Sequence, residues 1–507
     1  MRARLAVVLL PVVLAACEVG PDYVRPPAAT PAAFKEQVPE GWKVAKPSDA
    51  MKRGPWWSIY DDPVLDGLEK QVNIDNQTVK ASEAAFRQAS AIIREANAQL
   101  FPVIGASAAV TRSQQGVGST ANGAQVGGAG LPHSRYQFES TVTGWEIDLW
   151  GQIRREIESD VATAQATAGD LASAQLSAQA QLATAYFELR TDDELRRLLE
   201  ATVEAFGRSL QITQNKYRAG TAARSDVAQA QAQLDTTRAQ LIAVGVTRAQ
   251  FEHAIAVLIG KPPAEVSIAR VVLKPEFPTI PPDMPSALLE RRPDIAAAER
   301  RVASANAQIG VAVSAYYPSL TLNGTYGYAG DALQQRFAPS SRLWSIGATA
   351  AETFFDAGSR HAQVDVARAA YDQSVSNYRQ TVLVAFQQVE DNLAALRILE
   401  QQAAVQASAV ASAELAERLI LNQYLAGTVD YTTVITAQTA ALSNEQTALT
   451  IMQSRLTASV ALVQALGGGW DASQIPPNGD EREVNIAPTE DARPTWVRWV
   501  SKVLPWW

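Results

Sequence analysis

The sequence predicts an α+β membrane protein: a β-barrel shared between copies of the chain and continued by a long α-helical coiled-coil barrel. Three observations predict it. Residues 152–218 and 358–424 are Ala- and Gln-rich tracts without Pro, strand-like runs of alternating apolar and polar side chains precede each tract, and the whole order of elements occurs twice. Only 19% of the 507 residues are charged, and the net charge of −8 includes no basic cluster. Grouped Lys and Arg are needed to neutralise phosphates, so no nucleic-acid partner is expected.

Arg2 and Arg4 precede an apolar run from Leu5 to Ala16, the layout of a secretory signal too short to cross a bilayer. Leu14-Ala15-Ala16-Cys17 then has the form of a bacterial lipobox, in which small residues fit the signal peptidase and the Cys sulfur accepts a diacylglyceryl group. Cys17 is the only cysteine. An internal disulfide is therefore excluded, and a lone thiol at a signal cleavage point reads as a lipidation site rather than a nucleophile. An incidental Cys in a signal peptide is the alternative. Glu18, where an Asp would mark inner-membrane retention, resembles lipoproteins sent on to the outer membrane. Acyl chains bury CH₂ groups at about 0.8 kcal/mol each, so such an anchor would hold firmly. No later stretch offers about twenty consecutive apolar residues, so a bilayer crossing must be β.

Each copy reads helix, two strands, long helix, turn, helix. Helices end at Ala98-Gln99-Leu100-Phe101-Pro102 and at Ser314-Ala315-Tyr316-Tyr317-Pro318. In the second copy Leu320, Leu322, Tyr326 and Tyr328 alternate with Thr321, Asn323 and Thr325, and Trp344, Ile346, Ala348 and Ala350 with Ser345, Gly347 and Thr349. Tyr136, Phe138 and Val142 alternate likewise with Gln137, Glu139, Thr141 and Thr143 in the first. One face suits lipid and the other water, over lengths that exceed the roughly 9–11 residues of a tilted crossing. A soluble sandwich with one wet face is the bland alternative. The segments between strands, Gly116 to His133 and Asp331 to Pro339, suit exposed loops.

Four strands cannot close a barrel, since about eight is the smallest workable number and an open edge would strand backbone polar groups in lipid. Two chains would fill their lumen with side chains. Three would leave room for water, so a channel wants at least a trimer.

Landmarks Asp148-Leu149-Trp150-Gly151 and Phe355-Asp356-Ala357-Gly358 open the long tracts. The first would extend on the order of 100 Å as a helix. Leu195, Leu199, Thr202, Phe206, Leu210, Thr213 and Tyr217 form a coiled-coil stripe on it that needs neighbours to cover it. Both tracts end alike, at Tyr217-Arg218-Ala219-Gly220-Thr221 and Tyr424-Leu425-Ala426-Gly427-Thr428. Gly220 and Gly427 suit the positive-φ residue after a helix, and Thr221 and Thr428 are expected to cap the return helices. These hairpin tips would lie deep in the periplasm, within reach of an inner-membrane partner. The chain thus divides into a signal peptide (1–16), a lipid-anchored N-terminal segment (17–65), a first repeat (66–270), a linker with the second repeat (271–470) and a tail (471–507).

Further stretches identify a family. Cys17-Glu18-Val19-Gly20-Pro21-Asp22-Tyr23, Trp56-Trp57 with Asp62-Pro63 and Leu65, Arg291-Arg292-Pro293-Asp294-Ile295 followed by Ala298-Glu299-Arg300-Arg301, and Ala307-Gln308-Ile309-Gly310 resemble signatures of the TolC-like outer-membrane channel lipoproteins of tripartite efflux pumps. With the two tips, the resemblance covers residues 17 to about 470. It implies a homotrimer with a twelve-stranded barrel, a helical tunnel and an equatorial belt. It also implies docking through the tips onto a periplasmic adaptor that links it to an inner-membrane transporter, which supplies the energy. A channel of this fold serving a protein exporter, or a non-channel structural coiled-coil lipoprotein, are the alternatives.

The resemblance further implies a periplasmic gate held by Asp, Tyr and Arg contacts. Asp226 and Tyr424 stand at matching places and are expected to face each other between the hairpins. Val429 replaces an Arg some members carry, and Thr436 a usual Asp, so any acidic ring falls to Asp226 and Asp430. Asp430 reads equally well as a first-turn acid favoured by the helix dipole.

No enzyme is indicated. His133, His253 and His361 are scattered without metal-ligand spacing, there is no nucleophile elbow or phosphate loop, and neither a catalytic residue, a metal nor a cofactor is expected beyond the covalent lipid on Cys17. The tail departs from the resemblance. A polar, Pro-containing linker leads to Trp496, Trp499, Val500, Val503 and Leu504, with Arg498 and Lys502 opposite and Trp506-Trp507 following. That is amphipathic helical spacing, suited to a membrane surface or to the helical belt.

Overall fold

The computed structural model describes residues 18–31, 33–36, 55–114, 132–271, 288–331 and 337–480. The signal sequence, Cys17, most of both loops between paired strands and the Trp-rich tail lie outside the described residues.

Two copies of one unit make up the described chain. A short 3₁₀ turn, Trp56–Tyr60, leads into α1 (Pro63–Asp75). The first copy is then α2 (Gln77–Ala98), β1 (Ile104–Ser113), β2 (His133–Glu146), α3 (Gln152–Arg218) and α4 (Arg224–Leu258). The second is α5 (Pro293–Ser314), β3 (Ser319–Gly330), β4 (Arg342–Ala351), α6 (Ser359–Ala426) and α7 (Tyr431–Ala465). The α3 and α6 helices, of 67 and 68 residues, each extend about 100 Å at 1.5 Å per residue.

Their starts explain the repeated Asp and Gly landmarks. Gly151 and Gly358 hold φ of +79° and +88°, which costs glycine no Cβ clash. Asp148 accepts from the amides of Ile153 and Arg154 at 3.2 and 3.1 Å, and Asp356 from those of Gly358 and Arg360 at 3.0 and 3.1 Å. Each carboxylate also receives the Nε of an arginine on the helix's first turn, Arg154 at 3.1 Å and Arg360 at 2.6 Å. Amides with no partner of their own inside the helix are thereby satisfied.

The four strands form one antiparallel sheet in the order β1-β2-β3-β4. Its register stacks like on like across the strands. Ile104 pairs with Val142, Val110 with Tyr136, Phe138 with Tyr328, Tyr326 with Trp344 and Leu322 with Ala348, all on one face. Ser107 with Glu139, Thr141 with Thr325 and Thr325 with Ser345 lie on the other. A bulge between Val142 and Trp145, where Gly144 has φ +64° and donates to Asn323 Oδ1 at 2.7 Å, returns Trp145 to the apolar face opposite Leu322. Among the described residues of the chain, β1 and β4 each keep one unpaired edge.

At the other end of the sheet from the loops, a belt of packed side chains surrounds the middle of the long helices. Trp56, Tyr60, Phe86, Tyr186, Phe187, Tyr378 and Leu393 are buried in it. Asp62 caps α1 through the amides of Val64 and Leu65 and also accepts from the Tyr186 hydroxyl at 2.5 Å, while Trp56 and Trp57 donate to Gln179 and Asp66. The N-terminal segment lies along this body. Gly20, at φ +100°, is packed so closely on Gly310 that a Cβ would come within 2.4 Å of the Gly310 Cα, and Arg155 joins Glu18, Asp22 and the Val19 carbonyl. The two signature stretches around Gly20 and Gly310 are thus two halves of one contact.

Candidate functional site

The apolar sheet face is exposed in the single chain: Ile104 is 72%, Trp344 67% and Ile346 82% accessible. Exposed large apolar residues on β1, β3 and β4, with half-buried Tyr136, Phe138 and Val142 between them on β2, mark a surface that meets lipid rather than water. Aromatic side chains bracket it. Phe138, Tyr328 and Phe337 cluster at the loop end with ring centroids 5.5–5.8 Å apart. At the helix end Trp145 donates to the Leu100 carbonyl, Trp150 stacks on Tyr317 at 4.8 Å, and Phe354 and Phe355 are 94% and 86% exposed. Such girdles sit at the two membrane–water boundaries.

At the opposite end the hairpins turn. Gly220 and Gly427 have φ of +76° and +78°. The Gly220 amide donates to Tyr217 O and the Thr221 amide to Lys216 O, both at 2.9 Å, and Gly427 and Thr428 repeat the pattern on Tyr424 O and Gln423 O at 3.1 and 3.0 Å. This is the Schellman arrangement. It corrects the expected roles of the threonines: Thr221 and Thr428 donate their hydroxyls backward, to Lys216 O and Gln423 O at 3.1 and 3.0 Å, closing the outgoing helix. The N-cap positions of the return helices are Ala223 and Asp430 instead.

Asp226 stands three residues into α4, where its carboxylate accepts from the Ala223 amide at 3.2 Å and the Ser225 hydroxyl at 3.3 Å. Asp430 caps α7, accepting from the Thr433 amide at 3.0 Å and hydroxyl at 2.8 Å. Those bonds hold its carboxyl below the usual carboxylate range. Thr436 turns its hydroxyl onto Thr432 O of its own helix.

Tyr424 is 4% exposed, in a cluster with Phe206, Leu210, Leu234, Tyr431 and Val434 that joins the two hairpins. Its hydroxyl donates to Thr213 Oγ1 at 3.4 Å, and its ring lies 5.3 Å from that of Tyr431. Within the chain the expected Asp226–Tyr424 hydrogen bond is therefore not made, because Asp226 folds onto its own helix start and Tyr424 points into α3. A lysine makes the link instead. Lys216 crosses from the first hairpin, places its ammonium 4.1 Å from the centroid of the Tyr424 ring and donates to the Tyr424 carbonyl. Val429, partly buried against the same cluster, adds only packing. The sequence signal for Lys216 is a break in the repeat. Asn215-Lys216-Tyr217 and Asn422-Gln423-Tyr424 align, only the first carries a charge, and Tyr217 is 45% exposed where Tyr424 is buried.

The sequence profile described as "Outer membrane efflux protein" matches residues 68–261 and 284–468. The toluene efflux pump outer membrane protein TtgC of Pseudomonas putida is 29% identical over 474 residues, covering 92% of this chain and 96% of that protein. The probable efflux pump outer membrane protein SepC, from another strain of Pseudomonas putida, is 30% identical over 486 residues, covering 93% and 98%. The solved structure of the outer-membrane channel OprN superposes with a TM-score of 0.81 at 29% identity, covering 90% of this chain and all of that one.

Proposed function

The chain belongs to the outer membrane efflux protein family, and from that premise we propose that its cargo is small apolar and amphipathic compounds, passed on to it by an adaptor bound at its hairpin tips. Three chains close a twelve-stranded barrel in the outer membrane, and their long hairpins continue it into the periplasm as the exit duct of a tripartite efflux pump. The duct is passive. Adaptor and inner-membrane transporter complete the pump, and the transporter supplies the energy.

The observation that carries the channel is the register of the sheet, which gathers the large apolar side chains on one face, outward in the barrel, and leaves the other face, polar, toward the lumen. The names of relatives such as TtgC support the cargo class. The adaptor reading rests on Gly220, Thr221, Gly427 and Thr428 forming two matched, exposed turns farthest from the sheet. In the proposed gate, Tyr424 and Lys216 tie the hairpins together, while Asp226 and Asp430 place carboxylates at the mouth, where they lower the barrier for cations. The lipid anchor on Cys17 is supported by its neighbour. Glu18 lies against Gly151 and Val19 donates to the Trp150 carbonyl at 3.1 Å, beside the sheet's periplasmic rim, so an acyl chain there reaches the bilayer.

Deletion of the gene, with complementation, tests the cargo. Susceptibility to organic solvents and amphipathic antibiotics should rise on deletion and fall back on complementation. Unchanged susceptibility together with a lost secreted protein would replace this reading with protein export.

A further inference from the structure

Below the belt the described wall of the duct is made by the two hairpins. α3 packs against α4 and α7, and α7 against α6, so the helices stand in the order α4-α3-α7-α6 and leave α4 and α6 as the two edges. α6 follows β4 in the chain, so its edge continues the β4 edge that barrel closure gives to β1 of the next chain. Both helix edges carry a stripe with coiled-coil spacing. On α4, Ala228, Ala232, Asp235, Ala239, Ile242 and Val246 recur alternately four and three residues apart, and all are exposed, Ile242 by 76%. On α6, Gln401, Val405, Ser408, Ser412, Leu415 and Leu419 do the same, Val405 by 72%. Apolar side chains this open along a helix call for a partner that covers them.

Given closure of the wall by three chains, we propose that α4 of one chain and α6 of the next zip together as an antiparallel coiled coil in one register, Ile242 against Val405. The heights of the two stripes coincide. α3 and α6 both leave the sheet and run for 67 and 68 residues, so the tips at Gly220 and Gly427 are level. Ile242 follows Gly220 by 22 residues and Val405 precedes Gly427 by 22, which puts each ~33 Å from the tip. α4 and α6 run in opposite directions, so the stripes match position for position: Ala228 with Leu419, Ala232 with Leu415, Asp235 with Ser412 and Ala239 with Ser408. Alanine opposite leucine gives each knob a hole. The one charged layer sets a carboxylate opposite a hydroxyl. The chain's own α6 cannot cover α4, because α3 and α7 stand between them.

The test uses the full-length protein with Ile242→Cys and Val405→Cys together. Oxidation should give linked products of two and three chains on denaturing gels. Ile242→Cys with Ile398→Cys, one heptad or ~10 Å out of step, should give little. Within one chain α4 and α6 are three interaxial spacings apart, ~25 Å, too far for a disulfide. A second measurement exchanges volume across the seam. Ala232→Leu and Leu415→Ala should each lower the thermal midpoint of the assembled particle, and combining them should restore most of the loss, as expected only of side chains in contact. Native mass reports the assembly of each variant separately. A three-chain particle in which the first cysteine pair does not link, in which both pairs link equally, or in which the two volume changes simply add would overturn the seam and leave the three-chain barrel standing. A particle of fewer chains would overturn both.

Discussion

Lys216 lies over the ring of Tyr424, 4.1 Å from its centroid, and so joins the end of the first long hairpin to the end of the second. A cation over an aromatic face contributes about 1 kcal/mol when partly shielded from water, and the donation to the Tyr424 carbonyl adds a comparable amount.

That contact sets the order of effects expected at the mouth. Lys216→Ala should raise single-channel conductance, in protein without its adaptor, more than Tyr424→Phe does. The phenylalanine keeps the ring and gives up only the long bond to Thr213 at 3.4 Å. Asp226→Ala should mainly weaken the start of α4. If Tyr424→Phe opens the channel and Lys216→Ala does not, the tyrosine hydroxyl holds the mouth and the lysine is only a packing residue.

Gly20→Ala should release the N-terminal segment from the body. The added Cβ would meet the Gly310 backbone at 2.4 Å, and the φ of +100° is itself unfavourable for an L side chain. Limited proteolysis should then cut between residues 18 and 36 much faster than in the wild type. Gly67→Ala, where nothing lies within 4 Å of the new atom, serves as the control. Unchanged protection in Gly20→Ala would mean the contacts of Arg155 with Glu18 and Asp22 suffice.

Much of this architecture was legible in the sequence because it is periodic or punctuated. The absence of Pro from residues 152–218 and 358–424 gave the long helices, and Gly220 and Gly427 marked their ends. The coiled-coil stripe is borne out at Leu199, Phe206, Leu210 and Thr213, all buried, but Tyr217 at its end is exposed. What stayed hidden lies between distant residues. Lys216 and Tyr424 are 208 positions apart, and a lysine near a helix end reads locally as a solvated charge. The role of Thr221 and Thr428 is not legible locally, because a hydroxyl after a helix can serve either neighbour; the tight turn puts the outgoing carbonyl nearer.

Glu69 was equally silent. It is fully buried on α1, and among the described residues neither carboxylate oxygen has a hydrogen-bond partner. Burial pushes its pKa up from the ordinary 4.5 to about 9. Between those values the folded chain holds a proton that the unfolded chain releases, so this group's contribution to stability is lost as pH rises through the window. Glu69→Gln cannot ionise. Its thermal midpoint should exceed that of the wild type at about pH 8 and depend less on pH from about 5 upward. Parallel pH curves for the two proteins would assign the dependence to other groups.

The most direct measurement concerns the two open sheet edges. In one chain β1 and β4 are three strand spacings apart, ~14 Å, too far for a disulfide, which needs Cα atoms within about 7 Å. In a shared barrel β4 of one chain runs beside β1 of the next. Cysteines placed in pairs, at Ala106 or Ala108 on β1 and at Ile346 or Ala348 on β4, should form disulfides between chains for at least one register. In denaturing gels the products should climb from one chain to two to three and stop there. No cross-link at any pairing, or a series that stops at two or continues past three, would contradict a barrel closed by three chains.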